Sequence, residues 1–223
     1  MSHVVITGSE GRMAKILRDV ASELNIQTKA FGKSPSSREV SDFLGSKGVI
    51  DFSSIAATAE ILALAAKAKV PLVCGTTGWK SADERGKVFM EAAKLIPIVV
   101  DSNFSEGVEI LCRLSEVLAA MSSAEIKLTD IHHIHKKDSP SGTAIKIKER
   151  ILSSNPKAKV QIESIREGEV FGEHRVEIGL NDERIAISHS AGSRKPFAEG
   201  AFKALAWAAK QGPGLYTMKD ILK

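Results

Sequence analysis

The first hundred residues alternate short apolar runs with amphipathic stretches, and that alternation limits the possible folds more than any other feature. Val4 to Thr7 reads as a strand, after which Met13, Ile16, Leu17, Val20 and Leu24 recur at helical spacing. Further strands are expected over 26–31, 49–53, 70–74 and 96–101. Helices are expected over 54–69 and 81–95, the second opened by a capping box of Ser81 and Glu84. Strands that alternate with helices need crossover connections, which gives a parallel sheet covered on both faces. This half is a doubly wound α/β domain.

Beyond Ser105 the texture changes. A helix over 106–121 leads to a strand over 125–133, a Pro/Gly turn and a helix over 143–152. Alternating segments follow at 159–165, 174–180 and 183–189, with Asn181-Asp182 as turn chemistry between the last two. Strands with one apolar face imply a mixed sheet that packs on helices or on another subunit. The helix over 196–210 carries Phe197, Ala201, Leu205 and Ala208 on one side and returns to the first domain. The expected organisation is therefore a Rossmann-like dinucleotide-binding domain (1–103 and 194–223) and a smaller α+β domain (104–193) for substrate binding and oligomerisation.

The 223 residues are 43% hydrophobic, enough for a core without metal or disulfide staples. The net charge of +4 is scattered, and one Tyr and two Trp offer little base stacking, so nucleic acid is not an expected partner. Cys74 and Cys112 stand apart and read as buried small hydrophobes in a reducing compartment. The chain opens directly on a strand pattern and holds no run near the roughly 20 apolar residues of a membrane span, so a cytoplasmic protein without membrane contact is expected.

Five segments carry chemistry. Gly8-Ser9-Glu10-Gly11-Arg12-Met13 lies between the first strand and helix, where a pyrophosphate would meet free backbone N–H groups. Glu10 stands where a middle glycine is usual; it must point away from phosphate, and Arg12 is placed to offset it. The second strand ends Ala30-Phe31-Gly32-Lys33 with no acidic residue for the ribose hydroxyls, so NADPH is expected to serve at least as well as NADH, with Lys33 near a 2′-phosphate. Gly75-Thr76-Thr77-Gly78 and Asp101-Ser102-Asn103-Phe104 end later strands at the same sheet edge, and with the first loop they outline one crevice.

The most unusual segment runs from Asp130 to Ala144. His132, His133, His135, Lys136 and Lys137 crowd a strand end, and Pro140-Ser141-Gly142-Thr143 starts the next helix. Helix-start N–H groups bind carboxylates, while histidine and lysine bind anions and move protons near neutral pH. A solvated basic strand end and a metal site on His133 and His135 are the competing readings, though no H-E-x-x-H or thiolate pair accompanies the histidines.

These residues resemble the 4-hydroxy-tetrahydrodipicolinate reductases (dihydrodipicolinate reductases). The resemblance runs in order through Gly8-x-x-Gly11-Arg12-Met13, Val49-Ile50-Asp51-Phe52-Ser53, Gly75-Thr76-Thr77-Gly78, Ser102-Asn103-Phe104-Ser105-x-Gly107-Val108 and the His-His-x-His-Lys-x-Asp-x-Pro-Ser-Gly-Thr-Ala signature. It continues through Gly172-Glu173-His174, His189-x-Ala191-x-Ser193-Arg194 and Phe197-Ala198-x-Gly200-Ala201. The resemblance implies His132 as general acid/base, Lys136 as proton donor, and His133, Ser141, Gly142, Thr143 and Arg194 as substrate ligands. It also implies cofactor contacts at Gly8 to Met13, Gly75 to Thr77 and Asp101 to Phe104, a small dicarboxylate substrate, no metal, and a homotetramer built on the substrate-domain sheet. The chain is shorter than many members between Arg18 and Val49 and between Glu167 and Gly172. A dinucleotide-binding regulator without catalysis and a metal-dependent hydrolase are the alternatives from other classes; retention of both His132 and Lys136 speaks against the first.

Overall fold

A computed structural model describes residues 3–32, 38–79, 82–121 and 125–222, without the side chains of 82–85. The chain forms two compact units, residues 1–104 with 195–223, and residues 105–194. Lys33, Ser81 and hence the expected capping box lie outside the described residues.

The first unit is built on a six-stranded parallel sheet. Its strands are β1 (Val4–Thr7), β2 (Thr28–Phe31), β3 (Gly48–Asp51), β4 (Leu72–Cys74), β5 (Pro97–Val100) and β10 (Gly214–Tyr216), in the order β10-β5-β4-β3-β1-β2. The order reverses between β1 and β3, which makes their carboxyl ends a switch point where chain segments part. Helices α1 (Arg12–Glu23), α3 (Ile55–Ala68), α4 (Ala82–Ala93) and α7 (Lys195–Ala208) supply the crossovers and covers. Successive side chains of a strand face opposite sides, and the core divides accordingly. Val4, Ile6, Ile50, Val73 and Val99 pack with Leu17, Ala201 and Leu205 on one face. Val5, Val49, Leu72, Cys74 and Ile98 pack with Ile61, Leu62 and Phe89 on the other. This is the doubly wound arrangement the alternation predicts. The sequence reading did not include β10 or the single-turn helices α2 (Val40–Phe43) and α8 (Met218–Ile221).

The second unit holds a mixed four-stranded sheet in the order β7-β6-β8-β9, from β6 (Ile126–His132), β7 (Val160–Arg166), β8 (Glu173–Leu180) and β9 (Glu183–Ser190). β6 and β7 are parallel; β6 with β8 and β8 with β9 are antiparallel. Ile126, Leu128, Val176 and Ile178 face helices α5 (Glu106–Met121) and α6 (Gly142–Ser154) over Leu111, Cys112, Ile147 and Ile151. Helices therefore cover the apolar face. Arg150 of α6 ties the pair together, donating to the buried Glu109 at 2.9 Å and to Glu116 at 2.9 Å. Both cysteines are buried and free, as expected, and burial together with the nearby Asp51 carboxylate pushes the Cys74 thiol far up.

Candidate active site

At the switch point the chain turns on Gly8, whose φ of +83° suits glycine. A Cβ there would stand 2.6 Å from the Phe52 carbonyl oxygen, so the turn lies flat on the end of β3. The Gly8 and Ser9 amides donate to the Phe31 carbonyl, and the Gly11 amide donates to that of Gly8. Gly11 caps α1 without a side-chain acceptor, and the first turn of α1 holds no acidic residue. Its first amides therefore face solvent-side space with a positive partial charge, as an anion site requires. Glu10 is exposed and turns toward the end of β2: a Cβ on Gly32 would stand 3.1 Å from its Oε1.

Phe52 and Asp51 connect the loops of this edge, and sequence reasoning gave neither a role. The Phe52 ring lies over Gly75, where a Cβ would meet it at 2.2 Å, and packs edge-on against Phe104 at 5.9 Å between centroids. Asp51 is fully buried and accepts from Thr7 Oγ1 at 2.7 Å, Ser53 N at 3.0 Å, Thr58 Oγ1 at 2.9 Å and Thr76 Oγ1 at 3.4 Å. A buried carboxylate held by hydroxyls from several elements locks the ends of β1, β3 and β4 in one frame. The Asp101 carboxylate is turned inward, accepting from the amides of Asn103 and Met218 at 3.2 and 3.1 Å. Phe104 is a core residue whose carbonyl touches Gly200. Of the expected cofactor contacts, Gly8 to Met13 and Gly75 to Thr77 therefore line the edge, while Asp101 and Phe104 brace it. The glycine cradle and uncapped helix start fit the diphosphate of a nicotinamide dinucleotide.

In the other unit, the strands assemble a polar centre around Asp130, which is 0% exposed. Register sets Asp130 opposite His174 on β8 and Ser164 on β7, and His132 opposite Arg166. Asp130 Oδ1 accepts from Ser141 Oγ at 2.7 Å and lies 3.0 Å from His132 Nδ1 and 3.4 Å from His174 Nε2. The His132 contact is close but off the line of an aligned hydrogen bond. Oδ2 accepts from Ser141 N at 2.9 Å, Arg166 Nη2 at 3.1 Å and Ser164 Oγ at 3.4 Å. Burial opposes ionisation of Asp130, but these hydrogen bonds from His132, His174 and Ser141 outweigh it and hold the carboxyl far below the usual range. Burial pushes His174 down, and its neighbour His189 likewise; Asp130 offsets part of the effect at His174.

Ser141 also accepts from the Ala144 amide at 3.1 Å and so caps α6, whose first residues are Gly142 and the buried Thr143. Lys136 holds Asp138 at 2.9 Å, and Arg166 donates to the Asp138 carbonyl at 2.7 Å. His133 is buried with its amide on the Val170 carbonyl, whereas His135 is 68% exposed at the side chain and 3.7 Å from Glu169. Arg194 lies over the Phe171 ring at 5.5 Å. The structure thus gathers His132 and Ser141 around the Asp130 carboxylate, with Lys136 held by Asp138. It adds His174 and Arg166, which the sequence reading left without roles.

The His133 and His135 rings stand 6.2 Å apart between centroids. Among the described residues, the group of three possible ligands that converges is Asp130, His132 and His174. The Arg166 guanidinium, 3.1 Å from Asp130, already neutralises the carboxylate. That chemistry suits proton handling rather than a dication.

A doubly wound parallel sheet with a glycine turn at its switch point, in a chain that also carries a buried cluster of Asp130, His132 and His174, is the arrangement of a nicotinamide-dependent oxidoreductase. Two family models match almost end to end: "Dihydrodipicolinate reductase, N-terminus" over residues 2–104 and "Dihydrodipicolinate reductase, C-terminus" over residues 107–222. The chain belongs to the dihydrodipicolinate reductase family. It is similar to the 4-hydroxy-tetrahydrodipicolinate reductase of Zymomonas mobilis subsp. mobilis, 34% identical over 97% of this chain and 95% of the relative. The enzyme of the same name from Hahella chejuensis is 32% identical over 100% and 99%. In fold it resembles a dipicolinate-bound dihydrodipicolinate reductase from Paenisporosarcina sp. TG-14, with a TM-score of 0.78 at 19% identity over the whole of both chains.

Proposed function

We propose that this protein reduces 4-hydroxy-tetrahydrodipicolinate to tetrahydrodipicolinate, with loss of water, using NADPH or NADH in lysine and diaminopimelate biosynthesis. The observation that carries the reading is the convergence of His132, Arg166 and the Ser141-capped helix start on Asp130, with Arg166 also reaching the turn in which Asp138 holds Lys136, in a chain of this family. The nicotinamide, when bound, supplies the hydride. Gly8 to Met13 and Gly75 to Thr77 hold the dinucleotide through backbone amides, and Asp51 and Phe52 keep those loops in place.

The dicarboxylate substrate calls for cations and helix-start amides. The Gly142 and Thr143 amides at the start of α6 take one carboxylate, with Lys136 and His133 beside them and Arg194 as a further cation. Hydride addition leaves negative charge on the ring system. Lys136 carries a proton at Nζ with which to neutralise it, and His132 exchanges a proton at Nε2. Family membership and the polar sheet face opposite α5 and α6, bearing Lys127, Glu163, Arg175 and Glu177, support a homotetramer. No helix among the described residues is long and apolar enough to cross a membrane, and a cytoplasmic location fits a biosynthetic reductase.

The test is calorimetric. Dipicolinate, a planar dicarboxylate, is titrated into the protein saturated with NADH. One-to-one binding, weakened at least tenfold by Lys136→Ala, supports the site; no binding alongside intact NADH binding overturns it.

A further inference from the structure

His132 is the general acid/base of the proposed reaction, yet an imidazole does that work only if the right nitrogen carries the proton. Its Nδ1 faces Asp130 Oδ1 at 3.0 Å, and its Nε2 lies on the opposite side against Gly172, where a Cβ would stand 3.0 Å away. An ionised carboxylate is acceptor only, so a proton on Nδ1 is favoured and Nε2 becomes the exchanging atom. The remaining Asp130 contacts are all donors: Ser141 N and Oγ, Ser164 Oγ, His174 Nε2 and Arg166 Nη2. They keep the carboxylate anionic and fixed. Arg166 continues to the Asp138 carbonyl in the turn that carries Lys136, and Ser141 continues to the start of α6.

We propose that Asp130 is the positioning residue of this site. Its carboxylate sets His132 as the Nδ1–H tautomer with Nε2 outward, and through Ser141 and Arg166 it holds the helix start and the Lys136 turn in register with that ring.

The inference rests on the acid/base reading of His132, and its first readout, the tautomer, needs no turnover. Nitrogen-15 histidine spectra of the native protein, with His132→Asn identifying the resonance, are expected to show neutral His132 as the Nδ1–H form. Asp130→Asn, judged folded by circular dichroism and unchanged NADH affinity, is expected to shift His132 toward the Nε2–H form and to lower kcat at least 100-fold. Native His132 found as the Nε2–H tautomer overturns the proposal, with or without a foldable variant. So does an Asp130→Asn protein whose His132 tautomer and kcat are both unchanged. An inactive native protein with an Nδ1–H His132 would condemn the reaction and leave the positioning intact.

Discussion

Asp138 grips the Lys136 ammonium with both carboxylate oxygens, at 2.9 and 2.8 Å, two residues along the same turn. Burial works against the charge on Asp138, but the Lys136 hydrogen bond and charge prevail and hold its carboxyl below the usual range. The lysine is thus confined to one side of the turn until a substrate carboxylate competes for it. Lys136→Ala is expected to lower kcat by roughly 100-fold to 10,000-fold, the usual scale for a positioned proton donor. NADH affinity, read by fluorescence titration, stays within twofold of native. Native turnover in the variant would remove Lys136 from its role.

Gly172 touches the nitrogen assigned to proton exchange. A methyl at this position would stand 3.0 Å from His132 Nε2, inside normal carbon–nitrogen contact. Gly172→Ala is expected to reduce kcat at least tenfold while the melting temperature moves by only a few degrees. Equal kcat in both proteins would place the reacting group elsewhere.

Two histidines, the buried His174 and the half-buried His189, link pH to stability. His174 and His189 both have folded values pushed down, chiefly by burial, from an unfolded value near 6.5. Below that unfolded value the unfolded chain binds protons that the native one resists, so stability is full above about pH 6.5 and falls as pH drops through the window beneath it. Scanning calorimetry should show the melting temperature falling by a few degrees between pH 7.5 and 5.5. His174→Gln should flatten that slope, and an unchanged slope in the variant would mean that other groups cause it.

Glu10 bears on cofactor choice. No acid ends β2, which favours NADPH in the sequence reading, but Glu10 brings a carboxylate from the glycine turn to Gly32 at that strand's end. A carboxylate there accepts ribose hydroxyls and repels a 2′-phosphate. Glu10→Gln is therefore expected to raise the NADPH-to-NADH ratio of kcat/KM by roughly threefold to fivefold, the scale of an exposed charge interaction. A ratio that falls would reverse the assignment.

Much of the fold was legible because its signals are local. The apolar period separated strands from helices, and the helix over 106–121 matched α5 to the residue. β10 escaped because three residues, Gly214 to Tyr216, carry too little alternation to register. In the site, Ser141 announced itself as a cap beside the histidines. The partners of Asp130 did not, because Ser164, Arg166 and His174 reach it only through strand register between distant segments. Asp51 and Phe52 were missed for the same reason: their contacts join the ends of neighbouring strands, which no single stretch of sequence displays.

Pyruvate and aspartate semialdehyde are supplied with the upstream synthase, and NADPH and NADH absorbance is followed on adding this protein. Consumption stoichiometric with the semialdehyde is expected, abolished by omitting the synthase and severely slowed by Lys136→Ala. No consumption above background with either nucleotide would contradict the assigned reaction.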